Sequence, residues 1–86
     1  MESCEAIEAR LRTWCVEHDR LITPVGDVDE ATAAALLGVA DCTLRAWIRE
    51  GRSPVQPSRM IAGRRRYALR EIVQYLCDSQ HFEYPP

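Results

Sequence analysis

Hydrophobic positions near the start of the chain recur at spacings of three and four residues, which is the period of an α-helix. Over residues 4–19 they fall on one face, which is formed by Ile7, Leu11, Trp14, Cys15 and His18. The opposite face is mostly acidic. The pattern therefore predicts an amphipathic helix over 4–19 with Ser3 as its N-cap. A short extended segment should follow, because Pro24 and Gly26 interrupt regular structure there.

Two shorter helices are predicted in the middle of the chain. Asp27 and Glu30 are spaced as a capping box with Asp27 as the N-cap, so the first of these helices should begin there. Gly38 should end it in the left-handed conformation, and the second helix should span 41–50 and stop at Gly51. Two short helices separated by about three residues with a glycine at the turn are typical of a helix-turn-helix. An ordinary helical hairpin in a small bundle has the same pattern and remains an alternative.

The second of these helices has two distinct faces, since successive side chains are rotated by about 100°. Its hydrophobic stripe, which should face the core, consists of Leu44, Trp47 and Ile48. The opposite face consists of Cys42, Thr43, Arg45, Ala46 and Arg49. Arg45 and Arg49 can donate hydrogen bonds to guanine edges or to phosphates, and Thr43 can reach either. Cys42 and Ala46 can at best contact a thymine methyl group, so we expect little direct base readout.

A β-hairpin is predicted over 60–67, with Gly63 and Arg64 at the turn. Because side chains alternate along a strand, Arg64 and Arg66 should lie on one side and Arg65 and Tyr67 on the other. Tyr67 should pack against the helices, and Arg65 should pair internally, for example with Glu71.

A helical period returns after the hairpin. A final helix is predicted from Leu69 to about Asp78. Its inner face should consist of Leu69, Ile72, Val73, Leu76 and Cys77. The remaining residues, 80–86, are predicted to form a loose tail that ends in two prolines.

Positive charge is concentrated in one part of the chain. The net charge is −2 over 86 residues, yet 41–70 contain eight of the 11 basic residues and only two acids. All 11 are arginines, whose planar guanidinium groups can bind a phosphate or a guanine edge through two hydrogen bonds. This segregation predicts a polyanionic partner. Within the segment, Arg52, Arg59 and Arg70 are expected to be phosphate contacts or surface charges.

Other chemistry has little support in the sequence. Cys4, Cys15, Cys42 and Cys77 form no closely spaced pair, so we expect reduced, mostly buried thiols, no metal site and no cofactor. No catalytic triad, phosphate loop or paired-acid motif stands out, which argues against an enzyme. There is no stretch of about 18 apolar residues, and the acidic N-terminus lacks the apolar region of a signal peptide. We therefore expect a cytoplasmic protein that does not enter a membrane.

The sequence from 28 to 77 resembles the winged helix-turn-helix domain of phage-type excisionases and of AlpA-like and MerR-like proteins. The matching stretches are Leu37-Gly38-Val39, Thr43-Leu44-Arg45, Trp47-Ile48-Arg49-Glu50-Gly51, Gly63-Arg64-Arg65-Arg66-Tyr67 and Glu71-Ile72. Ala40 replaces a common Ser or Thr, so capping of the second helix should come from Asp41. Cys42 and Ala46 replace residues that are commonly basic or polar. The loop 52–59 is longer than in compact members, and the helix over 4–19 lies outside the resemblance.

The resemblance implies a mainly α fold with a small β-hairpin wing, that is, a winged helix-turn-helix with an additional N-terminal helix. An N-terminal segment would span 1–26, a DNA-binding domain 27–79 and a tail 80–86. The helix over 41–50 would enter the major groove of double-stranded DNA, and the wing over 60–67 would enter the minor groove. The expected DNA contacts are Thr43, Arg45, Arg49, Arg52, Arg64, Arg65 and Arg66.

The function that the resemblance implies is that of a recombination directionality factor. Such a protein binds adjacent DNA sites cooperatively with neighbouring copies, bends the DNA and promotes excision of a mobile element by an integrase. Two alternatives remain open. One is a MerR-like or AlpA-like transcriptional regulator, and the other is a protein-interaction module that uses the acidic N-terminal helix.

Overall fold

A computed structural model describes residues 2–79 as four helices and a small antiparallel sheet, which confirms the predicted combination of helices with a β-hairpin. The elements are α1 (Cys4–Glu17), β1 (Asp27–Asp29), α2 (Glu30–Leu37), α3 (Asp41–Arg49), β2 (Arg59–Ile61), β3 (Arg64–Ala68) and α4 (Leu69–Ser79). The helix bounds agree with the predicted ones to within two residues. The predicted loose tail over 80–86 lies outside the described residues.

The sheet has a third strand that the sequence analysis did not predict. β3 lies in the centre, with β1 and β2 antiparallel on either side. Val28 of β1 is paired with Tyr67 of β3, and both side chains are fully buried. These two residues connect the sheet to the helices.

The start of α2 differs from the predicted capping box. The N-cap is Asp29, whose carboxylate accepts a hydrogen bond from the backbone N–H of Thr32 at 2.8 Å. The prediction of Asp27 as the cap is wrong, because Asp27 belongs to β1 and is paired with Ala68 of β3. Burial, the largest single influence, raises the pKa of Asp29, but hydrogen bonds from Thr32 outweigh it and the net shift is downward.

α2 and α3 are joined by a short turn and are bent by 100° relative to one another. Gly38 ends α2 with φ 79°, a left-handed conformation that costs glycine little, so the predicted helix end is confirmed. α3 has no side-chain cap, because Ala40 occupies the N-cap position. The prediction that Asp41 would cap α3 is wrong: Asp41 is its first residue, and its carboxylate accepts from Arg45 one turn later.

One hydrophobic core joins α1 to the rest of the protein. Its buried members are Ile7, Leu11, Val28, Ala33, Ala34, Leu44, Val55, Tyr67, Leu69, Ile72 and Val73. The predicted inner faces of α1, α3 and α4 contribute Ile7, Leu44 and Ile72, whereas Trp47 and Ile48 are only half-buried. His18, which was expected on the inner face of α1, is exposed. Its ring stacks on Trp14 with centroids 4.1 Å apart.

A disulfide joins Cys4 at the start of α1 to Cys77 near the end of α4, with their Cα atoms 5.5 Å apart. The prediction that all the cysteines are reduced is therefore wrong for this pair. The two residues are 73 positions apart, and only the packing of α1 on α4 brings them together. Cys15 is free and buried, as predicted, and burial raises the pKa of its thiol. Cys42 is free and exposed.

Within residues 2–79, no single helix is long and apolar enough to cross a membrane. α2 and α3 together have the length and composition of a membrane span, but the 100° bend between them breaks the pair.

Candidate nucleic-acid interface

The hairpin formed by β2 and β3 turns at Ala62 and Gly63. Both residues have positive φ, 51° and 77° respectively, and the flanking residues Ile61 and Arg64 are paired. Positive φ at both central residues is the mark of a type I′ turn, which matches the twist of antiparallel strands. The hairpin prediction is confirmed, but its turn lies one residue earlier than the predicted Gly63 and Arg64.

The side of β3 that faces the helices carries Arg65 and Tyr67, as the alternation predicted. Nη1 of Arg65 and the hydroxyl of Tyr67 both donate to Oε2 of Glu30, at 2.7 Å and 2.6 Å. The prediction that Arg65 pairs internally is thus confirmed, although its partner is Glu30 at the start of α2 rather than Glu71. The hydrogen bond to Glu30 raises the pKa of Arg65. Burial is the largest cause of the raised pKa of Tyr67, and the hydrogen bond to Glu30 is the second. These contacts fix the base of the hairpin to α2.

On the other side of the sheet, Arg59 of β2 reaches Asp27 of β1. Nε of Arg59 donates to Oδ2 of Asp27 at 2.5 Å, and the Thr23 hydroxyl donates to Oδ1 of the same carboxylate at 2.6 Å. Asp27 is only 2% exposed. The hydrogen bond from Arg59, the largest influence, holds the pKa of Asp27 below its usual range. Because β3 lies between β1 and β2, this contact joins the two edge strands across the central strand. Arg59 is therefore engaged within the fold.

Arg66 lies between the two edge strands, paired in register with Asp29 of β1 and with Arg59 of β2. The side chain is half-buried, and its Nε is buried without a hydrogen-bond partner among residues 2–79. Its positive charge contributes to the lowered pKa of Asp27 and Asp29. A buried donor that lacks an acceptor is unfavourable, so this nitrogen is an unsatisfied group within the sheet.

The arginines on and just after α3 are more exposed. Nη1 of Arg45 lies 3.3 Å from Asp41, and Nε of Arg52 lies 3.0 Å from Glu50; both pairs are solvent-exposed. Exposed pairs of this kind contribute little to stability, so either arginine can exchange its carboxylate for a phosphate at low cost. Arg49 is exposed, and its side chain forms no hydrogen bond or ion pair within residues 2–79. Thr43, in the first turn of α3, is half-buried.

α3 and the hairpin border one open cleft of about 470 Å³. Its lining residues are Asp29, Glu30, Ala31, Asp41, Arg45, Met60, Gly63, Arg64, Arg65 and Arg66. Four of the seven expected contact residues are thus brought together in space from two elements. Arg49 and Arg52 lie further along α3 and beyond its end, and they do not line this cleft.

The acids of this cleft are already engaged. Glu30 binds Arg65 and Tyr67, Asp29 caps α2, and Asp41 pairs with Arg45. Arg64, by contrast, is exposed at the hairpin turn, and its side chain has no hydrogen bond or ion pair in the described part of the chain. The cleft can therefore accept an anion at its exposed edge without leaving a buried acid unpaired.

A second cleft of about 650 Å³ lies between α1, the strands and the start of α4, and sequence reasoning did not find it. It brings Arg12, Arg59 and Arg70 together, but Arg12 pairs with Glu8 and Arg59 pairs with Asp27. Of these three arginines, only Arg70 has no ion pair among residues 2–79. The lining residues come from five separate elements and the loops between them, so no local pattern in the sequence indicates the cleft.

The described residues contain no group of three or more His, Cys, Asp or Glu side chains arranged to hold a metal ion. Comparison with protein-family models, with curated proteins and with solved structures gives no match for this chain.

Proposed function

We propose that this protein is a winged helix-turn-helix that binds double-stranded DNA, with α3 as the helix that enters the major groove and the β2–β3 hairpin as the wing that enters the minor groove. The observation that supports this proposal best is the shared cleft. Arg45 of α3 and Arg64 of the hairpin lie on elements separated in sequence, yet they line one open surface. Two cationic elements on one side of a small domain are what a DNA duplex requires.

The ion pairs divide the arginines into two groups, those that stabilise the fold and those that remain available to bind DNA. Arg59 and Arg65 bind acids that are mostly buried, so they hold the fold together. Arg49 and Arg64 have no ion pair in the described chain, and Arg45 and Arg52 have only exposed ones. These four arginines can neutralise phosphates, because binding DNA breaks no more than an exposed ion pair, which contributes little to stability.

Within this class we propose a role as an excisionase-like recombination directionality factor. Such a protein has no catalytic residues; it acts in the cytoplasm, binds adjacent sites with neighbouring copies and bends the DNA for an integrase. The exposed surface of α3 supports this choice, because Cys42 offers no strong hydrogen bond to a base edge. Limited base readout suits a protein that recognises the shape and deformability of DNA.

The protein would be autoinhibited if the acidic face of α1 covered Arg45 and Arg49, and this form of the interaction-module alternative gains no support. None of the acids of α1 forms an ion pair with Arg45 or Arg49, and α1 packs on α4 instead.

A transcriptional regulator would use the same DNA-binding surface as an excisionase-like factor, so the two roles differ in the partner that is recruited. An integrase encoded beside this protein would favour excision, whereas a divergent operon would favour regulation.

The proposal is tested by a mobility-shift titration on duplex DNA over a range of salt concentrations. We expect affinity to fall steeply with salt, with a slope set by about four to six phosphate contacts. The matched control is Arg10→Ala, which removes one positive charge from α1 on an arginine that pairs with Glu2. This control should leave the slope unchanged, and a flat salt response of the unmodified protein would rule out the DNA-binding role.

Substitution of Arg49 distinguishes a contact with a base from a contact with a phosphate. Arg49→Ala should weaken binding to the preferred site more than binding to random DNA if its guanidinium reads a guanine edge. Equal losses on both DNAs would assign Arg49 to phosphate only. Either comparison requires a site selected from a random pool, and that selection also tests for cooperative binding of adjacent copies.

A further inference from the structure

The tip of the hairpin exposes aliphatic side chains in the middle of an arginine-rich segment. Met60 is 60% exposed and Ile61 is 39% exposed, and Ala62 and Gly63 complete four consecutive uncharged residues. Neither Met60 nor Ile61 belongs to the hydrophobic core or is packed against it. Edge strands of soluble proteins are usually protected by charges at such positions, so an apolar tip on an exposed edge indicates a contact that covers it.

The two aliphatic side chains point to opposite sides of the hairpin. Met60 is paired with Arg65, on the side that faces α2, and it lines the cleft with Arg45 and Arg64. Ile61 is one residue further along the strand, so it lies on the other side. Of the two, Met60 is the more exposed and the one directed toward the surface that α3 shares with the hairpin.

We propose that Met60 is an apolar wedge that inserts between base pairs in the minor groove and kinks the DNA. This inference rests on the proposed function, since it requires the hairpin to contact DNA. Minor-groove proteins use Met, Ile, Leu or Phe in this way, and partial unstacking at one step bends the duplex by roughly 20–90°. Arg64, which has no ion pair in the described chain, would hold the adjacent phosphates while Met60 enters the stack.

The wedge also accounts for bending by a protein whose α3 offers few base contacts. Pyrimidine–purine steps such as TpA unstack most easily, so Met60 would select deformable steps without reading their edges. Unstacking is unfavourable by itself, and the apolar surface of Met60 that leaves water on insertion offsets part of that cost. Because Met60 lines the same cleft as Arg45 of α3, the kink would lie next to the DNA segment that α3 contacts.

The test measures binding and unstacking on the same DNA. The probe is a duplex of about 30 base pairs that contains several TpA steps, with 2-aminopurine in place of their adenines and a fluorescent donor and acceptor at its ends. Binding is followed by anisotropy, unstacking by 2-aminopurine fluorescence, and bending by energy transfer at saturating protein. Unmodified protein should bind, raise 2-aminopurine fluorescence and bring the ends closer.

Met60→Ala should reduce the 2-aminopurine signal and the bend at saturation by at least about half, while affinity falls by less than about tenfold. Ile61→Ala is the matched control on the opposite side of the hairpin and should preserve both signals. Arg64→Ala should weaken binding but restore the full bend once the DNA is saturated. Thermal unfolding checks that all three exposed substitutions leave the fold intact.

The outcomes separate this inference from the function on which it rests. Binding without unstacking, or a full bend with Met60→Ala, overturns the wedge and leaves DNA binding in place. Absence of binding by unmodified protein overturns the proposed function itself. If Met60→Ala instead abolishes self-association in sedimentation, or binding to anionic phospholipid vesicles, the tip is an interface for a second copy or for a lipid surface and the wedge is excluded.

Discussion

The hydroxyl of Tyr67 and the carboxylate of Glu30 are joined by a hydrogen bond of 2.6 Å that connects the central strand to the start of α2. Tyr67 is fully buried, so its hydroxyl has no access to water in place of this acceptor. Arg65 donates to the same oxygen at 2.7 Å and supplies the compensating positive charge. This one carboxylate therefore helps to hold the hairpin in its orientation relative to α2.

Glu30→Gln should destabilise the protein by about 1–3 kcal/mol, the usual effect of losing hydrogen bonds to a charged acceptor. The measurement is chemical unfolding at neutral pH. Tyr67→Phe removes one of the two bonds and should give a smaller loss of about 1 kcal/mol. Equal stability of Glu30→Gln and the unmodified protein would mean that Glu30 does not hold the hairpin.

The pairing of Asp27 with Arg59 should make stability depend on pH in the acidic range. The folded pKa of Asp27 is lowered, so the stabilisation is fully present above its unfolded pKa of about 3.9 and is lost as pH falls through the folded value. Asp27→Asn should lower the unfolding free energy at neutral pH by about 1–3 kcal/mol. Unfolding curves from about pH 2 to 6 should be flatter for the variant than for the unmodified protein. Parallel curves would contradict the role assigned to Asp27.

The Cys4–Cys77 disulfide should be a major contributor to stability, because it closes a loop with a sequence separation of 73. Loop-closure entropy of that length corresponds to about 4 kcal/mol in the chain-entropy model. Replacement of both cysteines by serine should lower the unfolding free energy by roughly that amount, and added reductant should then have no further effect. Cys42→Ser, at an exposed free thiol, is the control and should change stability by less than about 0.5 kcal/mol. An unmodified protein that reductant does not destabilise would contradict the contribution of this disulfide.

The turn of the hairpin offers a substitution that should stabilise the protein. Ala62 has φ 51°, a conformation that Asn adopts more readily than Ala. Ala62→Asn gives Asn-Gly, the preferred pair for a type I′ turn, and should raise the unfolding free energy by up to about 1 kcal/mol. Gly63→Ala is the opposite control: it places a side chain at φ 77° and should destabilise the hairpin. A destabilised Ala62→Asn variant would argue against the type I′ geometry.

Local patterns were sufficient for the approximate bounds of the helices but not for two of their caps or for the contacts between elements. Ile7 and Leu11 lie one turn apart, so periodicity predicts their shared face without reference to the rest of the chain. The strand β1 has only one apolar residue, Val28, and it is extended because β3 pairs with it. Acidic residues on both sides of Val28 resemble the start of a helix, which is why the sequence pattern predicts Asp27 as a cap.

The arginines illustrate the same limit within the candidate interface. Sequence alternation placed Arg64 and Arg65 on opposite sides of the strand, and the structure agrees. The partner of Arg65 is Glu30, which is 35 residues away, and no local signal identifies it. The sequence therefore indicates which side of the strand each arginine faces, but not the acid that Arg65 binds.

The adjacent residues Arg64 and Arg65 give the sharpest test of this division. Arg64→Ala should weaken DNA binding, with a salt slope lower by about one, and should change stability by less than about 0.5 kcal/mol because the side chain is exposed and forms no ion pair in the described chain. Arg65→Ala should lower the unfolding free energy by about 1–3 kcal/mol, because it leaves Glu30 without its counter-ion. Its DNA affinity, measured below the unfolding transition, should fall less than that of Arg64→Ala. Both variants remove one positive charge, so a difference between them cannot come from net charge. If Arg65→Ala lost affinity without losing stability, Arg65 would be a direct DNA contact and its contact with Glu30 would be dispensable.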